Sequence, residues 1–264
     1  MTVGSPNRAR EVIERYMAPL VLLGILLLAW EAAPRALSTP RWMLPTPTDI
    51  ARAAVEVRGV LPAQVQTTLV EAMIGLAAAA TSGLVIALGI AGSAFVRRLL
   101  YPLLVVSQNV PLIVLAPLLA VWFGFGMLPK VLIVALVGFF PIAIATAEAL
   151  LHADAEVVDL MRAMGASRWQ VLRIVRLPGA MPAFFAGLRI SATYAIFGAV
   201  IGEWVGARAG LGLFITRSQT AYRTDRVFVA VIVIAAISMV LFALVQLAAR
   251  VAMPWRAHTE EGYS

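Results

Sequence analysis

Cysteine is absent from the 264 residues of this chain, and lysine occurs once, at position 130. Without cysteine the chain can form neither disulfides nor cysteine–zinc sites, and it has no thiol nucleophile. Charged residues are also scarce, at 13% against the roughly 25% that is usual in soluble domains. So low a charge content excludes an ordinary soluble enzyme, and the apolar remainder excludes a disordered chain.

Several catalytic motifs are missing as well. The sequence contains neither the H-E-x-x-H zinc motif nor the G-x-S-x-G nucleophile motif. The lysine follows Pro129, so the G-K-[ST] pattern of an ATP-binding loop is absent. His152 and His258 lie in polar segments without partners at metal-ligand spacing. We therefore expect no catalytic residue, no metal site and no cofactor.

Apolar residues dominate instead. They make up 61% of the chain, and the mean hydropathy is +0.90, which indicates a polytopic membrane protein. The predicted fold is all-α with about six transmembrane helices. The apolar stretches that predict them cover residues 17–33, 67–93, 99–123, 128–147, 183–201 and 227–249.

The segments between these stretches predict the organisation of the chain. We expect a polar N-terminal segment (1–16), a transmembrane domain (17–250) with a polar interruption at about 148–182, and a polar tail (251–264). A short amphipathic helix is predicted over 48–60, with Thr48 as its N-cap. The third and fourth stretches should form a tight helical hairpin.

Six spans place both termini on the same side of the membrane. If that side is the cytoplasm, eleven basic residues are cytoplasmic and nine lie outside, with Arg189 inside the fifth stretch. The positive-inside rule thus favours cytoplasmic termini by a small margin. The basic residues are scattered and contain no run of five, so nucleic-acid binding is not expected.

The polar interruption is the most informative segment. Residues 159–178 read DLMRAMGASRWQVLRIVRLP. Apolar residues recur at helical spacing as far as Met164, and Gly165 should break that helix. Ser167 should then cap a second short helix, which Pro178 ends. Two short amphipathic helices at an angle form a knob that suits a groove on a partner protein.

This segment resembles the coupling loop of ABC importer permeases, which reads E-A-A, three residues, glycine, nine residues, I-x-L-P. Asp159 takes the acidic position, Gly165 the glycine, and residues 175–178 the last element, although Leu160 and Met161 replace the alanines. The resemblance implies that the loop contacts a separate ATPase dimer. The residues carried over to that contact are Asp159, Arg162, Gly165, Ala166, Trp169, Leu177 and Pro178.

Further motifs extend the resemblance over roughly residues 40–250. L-P-T-P at 44–47 and G-E-W-V-G at 202–206 are similar to the branch of these permeases that serves nitrate, sulfonates, taurine and thiamine precursors. P-K-V-L at 129–132 looks most like permeases for thiamine-precursor pyrimidines or riboflavin. The resemblance implies a type I ABC importer permease in the lipid of the bacterial plasma membrane. Its implied partners are a second permease copy, the ATPase dimer and an extracytoplasmic solute-binding protein.

Polar side chains inside the apolar stretches are candidates for the translocation path. Three adjacent ones at 107–109 cannot all face lipid cheaply, so they line the path or bond to a neighbouring helix. Glu203 either faces the path or pairs with Arg208 near the membrane surface. The hydroxyl residues of the fifth stretch are weaker candidates, because hydroxyls also bond to local backbone. The predicted set is Ser107, Gln108, Asn109, Thr193, Tyr194 and Glu203.

Alternatives remain open on the solute and on the class of function. A neutral pyrimidine suits amides and few fixed charges, whereas nitrate, an alkanesulfonate or taurine would need a basic residue in the path, and Arg189 is the candidate inside a stretch. An integral-membrane enzyme would need a catalytic set, but Ser107 and His152 lie on different segments. An uncoupled channel would not need residues 148–182.

Overall fold

The computed structural model describes residues 7–256, whose regular secondary structure is entirely helical, as the sequence predicts. A π-helical turn, Leu172–Arg176, joins α8 to α9, and a 3-10 turn, Pro254–Arg256, follows α11. The α-helices are α1 (Asn7–Ala36), α2 (Pro47–Val57), α3 (Leu61–Gly92), α4 (Ala94–Ser107), α5 (Leu112–Phe123), α6 (Met127–Leu151), α7 (Ala155–Ala163), α8 (Arg168–Val171), α9 (Leu177–Glu203), α10 (Leu211–Thr220) and α11 (Thr224–Ala252).

Five helical segments of the described chain are long and apolar enough to cross a membrane. They match five of the six predicted stretches, and α5 contributes a shorter apolar helix, Val114–Phe123. The five segments are Pro19–Ala36, Leu61–Gly92, Met127–Leu151, Arg168–Glu203 and Thr224–Ala252. Of the predicted terminal segments, residues 1–6 and 257–264 lie outside the described residues.

The third predicted stretch, 99–123, is wrong as a single helix. The chain leaves the helix after Ser107 and enters α5 at Leu112, with Pro111 in an extended conformation (ψ 104°) at its N-cap. Proline lacks the N–H that a continuous helix would use, and it disfavours helical backbone at the preceding Val110. The third crossing is therefore a broken helix made of α4 and α5.

The predicted cap of the short amphipathic helix is also wrong. Thr46 rather than Thr48 caps α2, since its hydroxyl oxygen accepts from Asp49 N at 3.2 Å and its own N–H donates to the Asp49 carboxylate at 3.4 Å. Pro47 then occupies the first helical position, which suits its restricted φ. Thr48 is turned away and donates its hydroxyl to Glu31 Oε1 at 2.7 Å.

A third correction concerns the end of the polar interruption. Pro178 does not end the second short helix, because it lies in the first turn of α9 and the apolar segment continues from Arg168 to Glu203. Proline lacks the N–H that a helical hydrogen bond would use, and the turn directly before α9, Leu172–Arg176, is π-helical rather than α-helical. The fifth span therefore begins well before residue 183, inside the predicted loop.

The described chain divides into two compact units, of which the first comprises residues up to Val60 with Arg217–Val231. In this unit Arg223 Nη2 donates to Glu56 Oε2 at 2.7 Å, and the Trp42 and Tyr222 rings meet edge to face at 6.2 Å. The hydrogen bond from Arg223 lowers the pKa of Glu56. These contacts bring the segment after α1 together with the segment before α11.

The second unit comprises Leu61–Thr216 and the residues from Ile232 onward. In it α3, α6 and α9 pack closely, because small residues occupy their contact faces. At Gly187 an added Cβ would lie 2.6 Å from the carbonyl oxygen of Pro141, so α9 rests directly on the backbone of α6. Ser191 also donates its hydroxyl to the Gly138 carbonyl at 2.6 Å.

Candidate functional site

The polar interruption folds into two short helices separated by a glycine turn, as the sequence predicts. The Asp154 carboxylate caps α7 by accepting from Glu156 N at 3.0 Å. Ser167 caps α8 and forms a reciprocal pair with Gln170, in which Ser167 N donates to Gln170 Oε1 at 2.7 Å. Between them Gly165 has φ +80°, a left-handed conformation. We call residues 155–171 the helical knob.

The helical knob holds five of the seven residues that the resemblance assigned to ATPase contact. Asp159, Arg162, Gly165 and Trp169 are exposed, and Ala166 is half-buried. Leu177 and Pro178 are half-buried in the first turn of α9, outside the knob. Leu160, Met164 and Trp169 each expose more than half of their area, at 62%, 76% and 64%. An exposed apolar set on so small an element marks an interaction surface.

A cationic cavity lies between the helical knob and the end of α3. Its volume is about 490 Å³, and arginines supply the charge of its wall. Within the described chain, Arg176 Nε is buried there without a hydrogen-bond partner. This face of the loop therefore suits an acidic partner surface. The lining residues are Ala91, Gly92, Arg162, Ala166, Arg168, Trp169, Val171, Leu172 and Arg176.

The polar triplet of the third stretch lies at the break between α4 and α5. Ser107 donates to Leu104 O at 3.2 Å, and Asn109 Nδ2 donates to Val105 O at 3.0 Å. Gln108 is the C-cap of α4, and both amide side chains are exposed. Trp122, another exposed side chain, lies near the opposite end of α5, about 15 Å along the helix from Leu112.

Two of the predicted path residues, Thr193 and Tyr194, are exposed side chains of α9. Thr193 donates to Arg189 O at 3.1 Å, and Tyr194 exposes 52% of its area. Ser191, two residues earlier, is buried on the opposite face of the helix. Thr193 and Tyr194 are therefore free to face solvent, lipid or a second chain.

Glu203 belongs to a buried charge cluster that sequence reasoning otherwise missed. Lys130 Nζ lies 2.6 Å from Glu71 Oε1, and the exposed fractions of Lys130, Glu71 and Glu203 are 7%, 4% and 1%. Thr68 donates its hydroxyl to Glu203 Oε1 at 2.6 Å. Glu203 accepts from Thr68 and from Gly212 N rather than from Arg208, so the pairing expected with Arg208 is wrong. We call Thr68, Glu71, Lys130 and Glu203 the charge cluster.

A signal for this cluster was present in the sequence. Glu71 interrupts the second apolar stretch, Lys130 lies at the start of the fourth, and ions inside membrane spans pair with one another. The expectation that Arg189 is the basic residue inside the spans was wrong, because Lys130 also lies inside one, within α6. Glu71 neutralises the charge of Lys130.

An open groove of about 810 Å³ runs beside the charge cluster. Glu71 and Lys130 form part of its wall, and exposed Arg208 lies on its rim. Both apolar and polar side chains line it, which suits a solute with both characters. The lining residues are Gln66, Thr67, Val70, Glu71, Phe125, Gly126, Met127, Lys130, Arg208 and Ala209.

Known proteins resemble this chain over most of its length. The family described as the binding-protein-dependent transport system inner membrane component matches residues 79–254. A probable ABC transporter permease of Haemophilus influenzae is 35% identical over 86% of this chain and 93% of its own. The formylaminopyrimidine transport permease of Halalkalibacterium halodurans is 32% identical over 91% of this chain and 96% of its own. The riboflavin transport system permease of Chloroflexus aurantiacus is 35% identical over 90% and 89%.

Solved structures share the fold at lower identity. An amino acid ABC transporter crystallised with histidines has a TM-score of 0.60 and 20% identity, over 76% of this chain and 95% of that one. The inward-facing MetNI methionine ABC transporter has a TM-score of 0.56 and 23% identity, over 75% and 94%. The predicted permease fold is thereby confirmed.

Proposed function

Since this chain belongs to the family of binding-protein-dependent transport inner membrane components, and is a multi-pass permease subunit of an ABC importer for small solutes, we propose that its solute is a neutral nitrogen heterocycle. A thiamine-precursor pyrimidine and riboflavin are the leading candidates. The names of two relatives that align over about nine-tenths of this chain support the proposal, since they specify formylaminopyrimidine and riboflavin.

The observation that carries the proposal is the break between α4 and α5. It exposes two neighbouring amide side chains, Gln108 and Asn109, in the middle of an otherwise apolar crossing. Backbone that leaves a helix at membrane depth is tolerated where it is buried in protein or lines a water-filled cavity. Amides offer both donors and acceptors, which match the ring edges of a pyrimidine without a fixed charge.

The proposal requires three partners, each with a separate role in transport. A solute-binding protein delivers the solute on the outer side, and a second copy of this chain completes the path. An ATPase dimer hydrolyses ATP and moves the helical knob, which transmits the movement as a rigid body to α9. The continuous helix from Arg168 to Glu203 supports this role, because it links the knob directly to a membrane span.

An organic anion such as taurine or an alkanesulfonate is the second candidate, since Arg208 lies exposed on the rim of the groove. Lys130 does not favour it, because Glu71 already neutralises that charge at 2.6 Å. Competition for uptake between a pyrimidine and taurine separates the two candidates.

The amide pair supplies the direct test. In a complex reconstituted with its binding protein and ATPase, Gln108→Leu and Asn109→Leu should each reduce pyrimidine uptake about tenfold, the effect of losing one hydrogen bond to the solute at roughly 1–1.5 kcal/mol. Uptake of labelled solute into vesicles is the measurement. Val106→Leu, at an exposed position of the same helix, is the matched control and should transport normally.

Normal uptake by both leucine variants, with normal binding-protein docking, would remove the amides from the path. The argument for a neutral solute would then fail with them.

The orientation of the chain is a second proposal. We propose that the helical knob and both termini are cytoplasmic, with residues 38–60 and 217–226 outside. Contacts such as Glu56 with Arg223 support a common side for the two outer segments, because both lie in one compact unit.

Single cysteines test the orientation cleanly, because the chain has none of its own. Arg58→Cys and Thr220→Cys should react with an impermeant maleimide in intact cells, and Met164→Cys only after permeabilisation. Position 58 is used instead of the neighbouring Val57, which is also expected outside. Val57 is 4% exposed, so a cysteine there would react slowly on either side of the membrane. Labelling of Met164→Cys in intact cells would reverse the orientation. Ser5 and Thr259, also expected in the cytoplasm, lie outside the described residues.

A further inference from the structure

We propose that the charge cluster binds one proton, which Glu71 and Glu203 share, and that the neutralised cluster holds the start of α10 against α3. This proposal concerns the structure of the permease and is independent of which solute it carries.

The first step is the ion pair between α3 and α6. Lys130 Nζ and Glu71 Oε1 lie 2.6 Å apart, and both side chains are more than nine-tenths buried. A pair at this distance and depth consists of one ammonium and one carboxylate, since each needs the other to remain charged. The Glu71 carboxylate therefore neutralises the whole charge of Lys130.

The second step is the position of the other carboxyl. Thr68 and Glu71 are three residues apart on α3, so they lie on one face of the helix. Because Thr68 donates to Glu203 at 2.6 Å, the Glu203 carboxyl lies against the face of α3 that carries Glu71, one helical turn away. Within residues 7–256, Glu71 Oε2 is buried without a hydrogen-bond partner. One proton between the carboxyls supplies the donor that this oxygen lacks.

The third step is the charge balance around the cluster. Other charged groups on these helices do not reach the cluster, since Glu148 is about 27 Å along α6, Arg189 is about 21 Å along α9, and Arg217 of α10 is exposed. Arg208, on the turn before α10, is exposed on the groove. Two carboxylates and one ammonium thus leave one negative charge in a buried site. Such a carboxyl takes up a proton rather than remain charged, and paired carboxyls commonly share one.

The charge cluster binds two consecutive backbone N–H groups at the start of α10, and Gln64, one turn before Thr68 on α3, binds the N–H group that precedes them. Gly210 N donates to Gln64 Oε1 at 2.7 Å, Leu211 N to Thr68 Oγ1 at 2.8 Å, and Gly212 N to Glu203 Oε2. Side chains of α3 and α9 therefore hold the start of α10. Loss of the shared proton would place two carboxylates side by side and push Glu203 away from these bonds.

Infrared spectroscopy of the complete permease–ATPase complex tests the shared proton directly. The C=O stretching band of a protonated carboxyl should be present at neutral pH. It should disappear in Glu71→Gln and in Glu203→Gln, and persist in Glu56→Gln, a matched control on α2. A wild-type complex without this band, or a band that both cluster variants retain, would overturn the proposal.

Thermal unfolding of the same complex gives the second readout. The folded state holds a proton that the unfolded chain releases above the ordinary pKa of glutamate. Stability should therefore fall as pH rises through neutral and level off once the folded cluster itself loses the proton. Glu203→Gln should lose this dependence, because the Lys130–Glu71 pair that remains is neutral by itself. Lys130→Gln should unfold earlier, and Lys130→Gln with Glu71→Gln should recover most of the loss. If Glu203→Gln keeps the pH dependence of the wild-type complex, the cluster holds no shared proton.

Discussion

Replacing Gly165 by valine should abolish the coupling of ATP hydrolysis to transport while the membrane helices remain folded. Gly165 has φ +80°, and an added Cβ there would meet no atom within 4 Å, so the effect comes from the backbone alone. A left-handed residue with a side chain costs about 1–2 kcal/mol, and a β-branched one more. Valine should therefore open the turn and change the angle between α7 and α8.

Asparagine at the same position is the matched control, because it tolerates the left-handed conformation far better than valine does. We expect Gly165→Asn to keep most of the binding-protein-stimulated ATPase activity of the reconstituted complex, and Gly165→Val to lose at least about nine-tenths of it. The unfolding temperature of the isolated permease should be the same for both. Full stimulated activity and normal assembly of Gly165→Val would mean that the helical knob is not the coupling element.

Replacing Gly187 by valine should prevent the permease from folding stably. Its Cβ would lie 2.6 Å from Pro141 O and 2.9 Å from Ile142 Cα, and both atoms belong to the backbone of α6, so no side chain can move aside. Overpacking in a core typically costs about 1–3 kcal/mol, and a backbone clash belongs at or above the upper end of that range. The contact lies between α6 and α9, which pack along much of their length.

Gly179→Val is the matched control on the same helix. Gly179 is exposed, and a Cβ there would meet no atom within 4 Å, so the same chemical change should leave stability nearly unchanged. The measurements are the yield of monodisperse protein in detergent and its unfolding temperature. Equal stability of the two valine variants would contradict the close packing of α6 on α9.

Much of the architecture was predictable because its signals are local. Long apolar stretches locate four of the five spans to within a few residues and the end of the fifth, since length and hydropathy alone decide which segments suit lipid. The glycine turn was also readable: Gly165 is followed by Ser167, and a helix breaker before an N-cap residue requires no distant contact. The choice of Thr48 over Thr46 failed because both are good caps and only the position of Pro47 separates them.

Two prolines show that the effect of a proline on a helix cannot be predicted from the neighbouring sequence alone. Pro111 breaks the third crossing, whereas Pro178 lies in the first turn of a continuous helical segment. The same residue type ends one helix and begins another, depending on which neighbouring N–H groups already have partners. The π-helical turn at Leu172–Arg176 directly precedes α9 and has no signature of its own in the sequence.

The sequence by itself determined the apolar spans, the two-helix loop and the family resemblance, because each depends on residues close together in the chain. The charge cluster depends on residues 68, 71, 130 and 203, which lie on α3, α6 and α9. Sequence analysis identified Glu203 as a candidate, but the partner it considered for the residue, Arg208, is not the one that the structure shows. Only the packing of small residues between these helices brings Glu71 within 2.6 Å of Lys130 and places Glu203 beside them, since no local pattern specifies which buried ions meet.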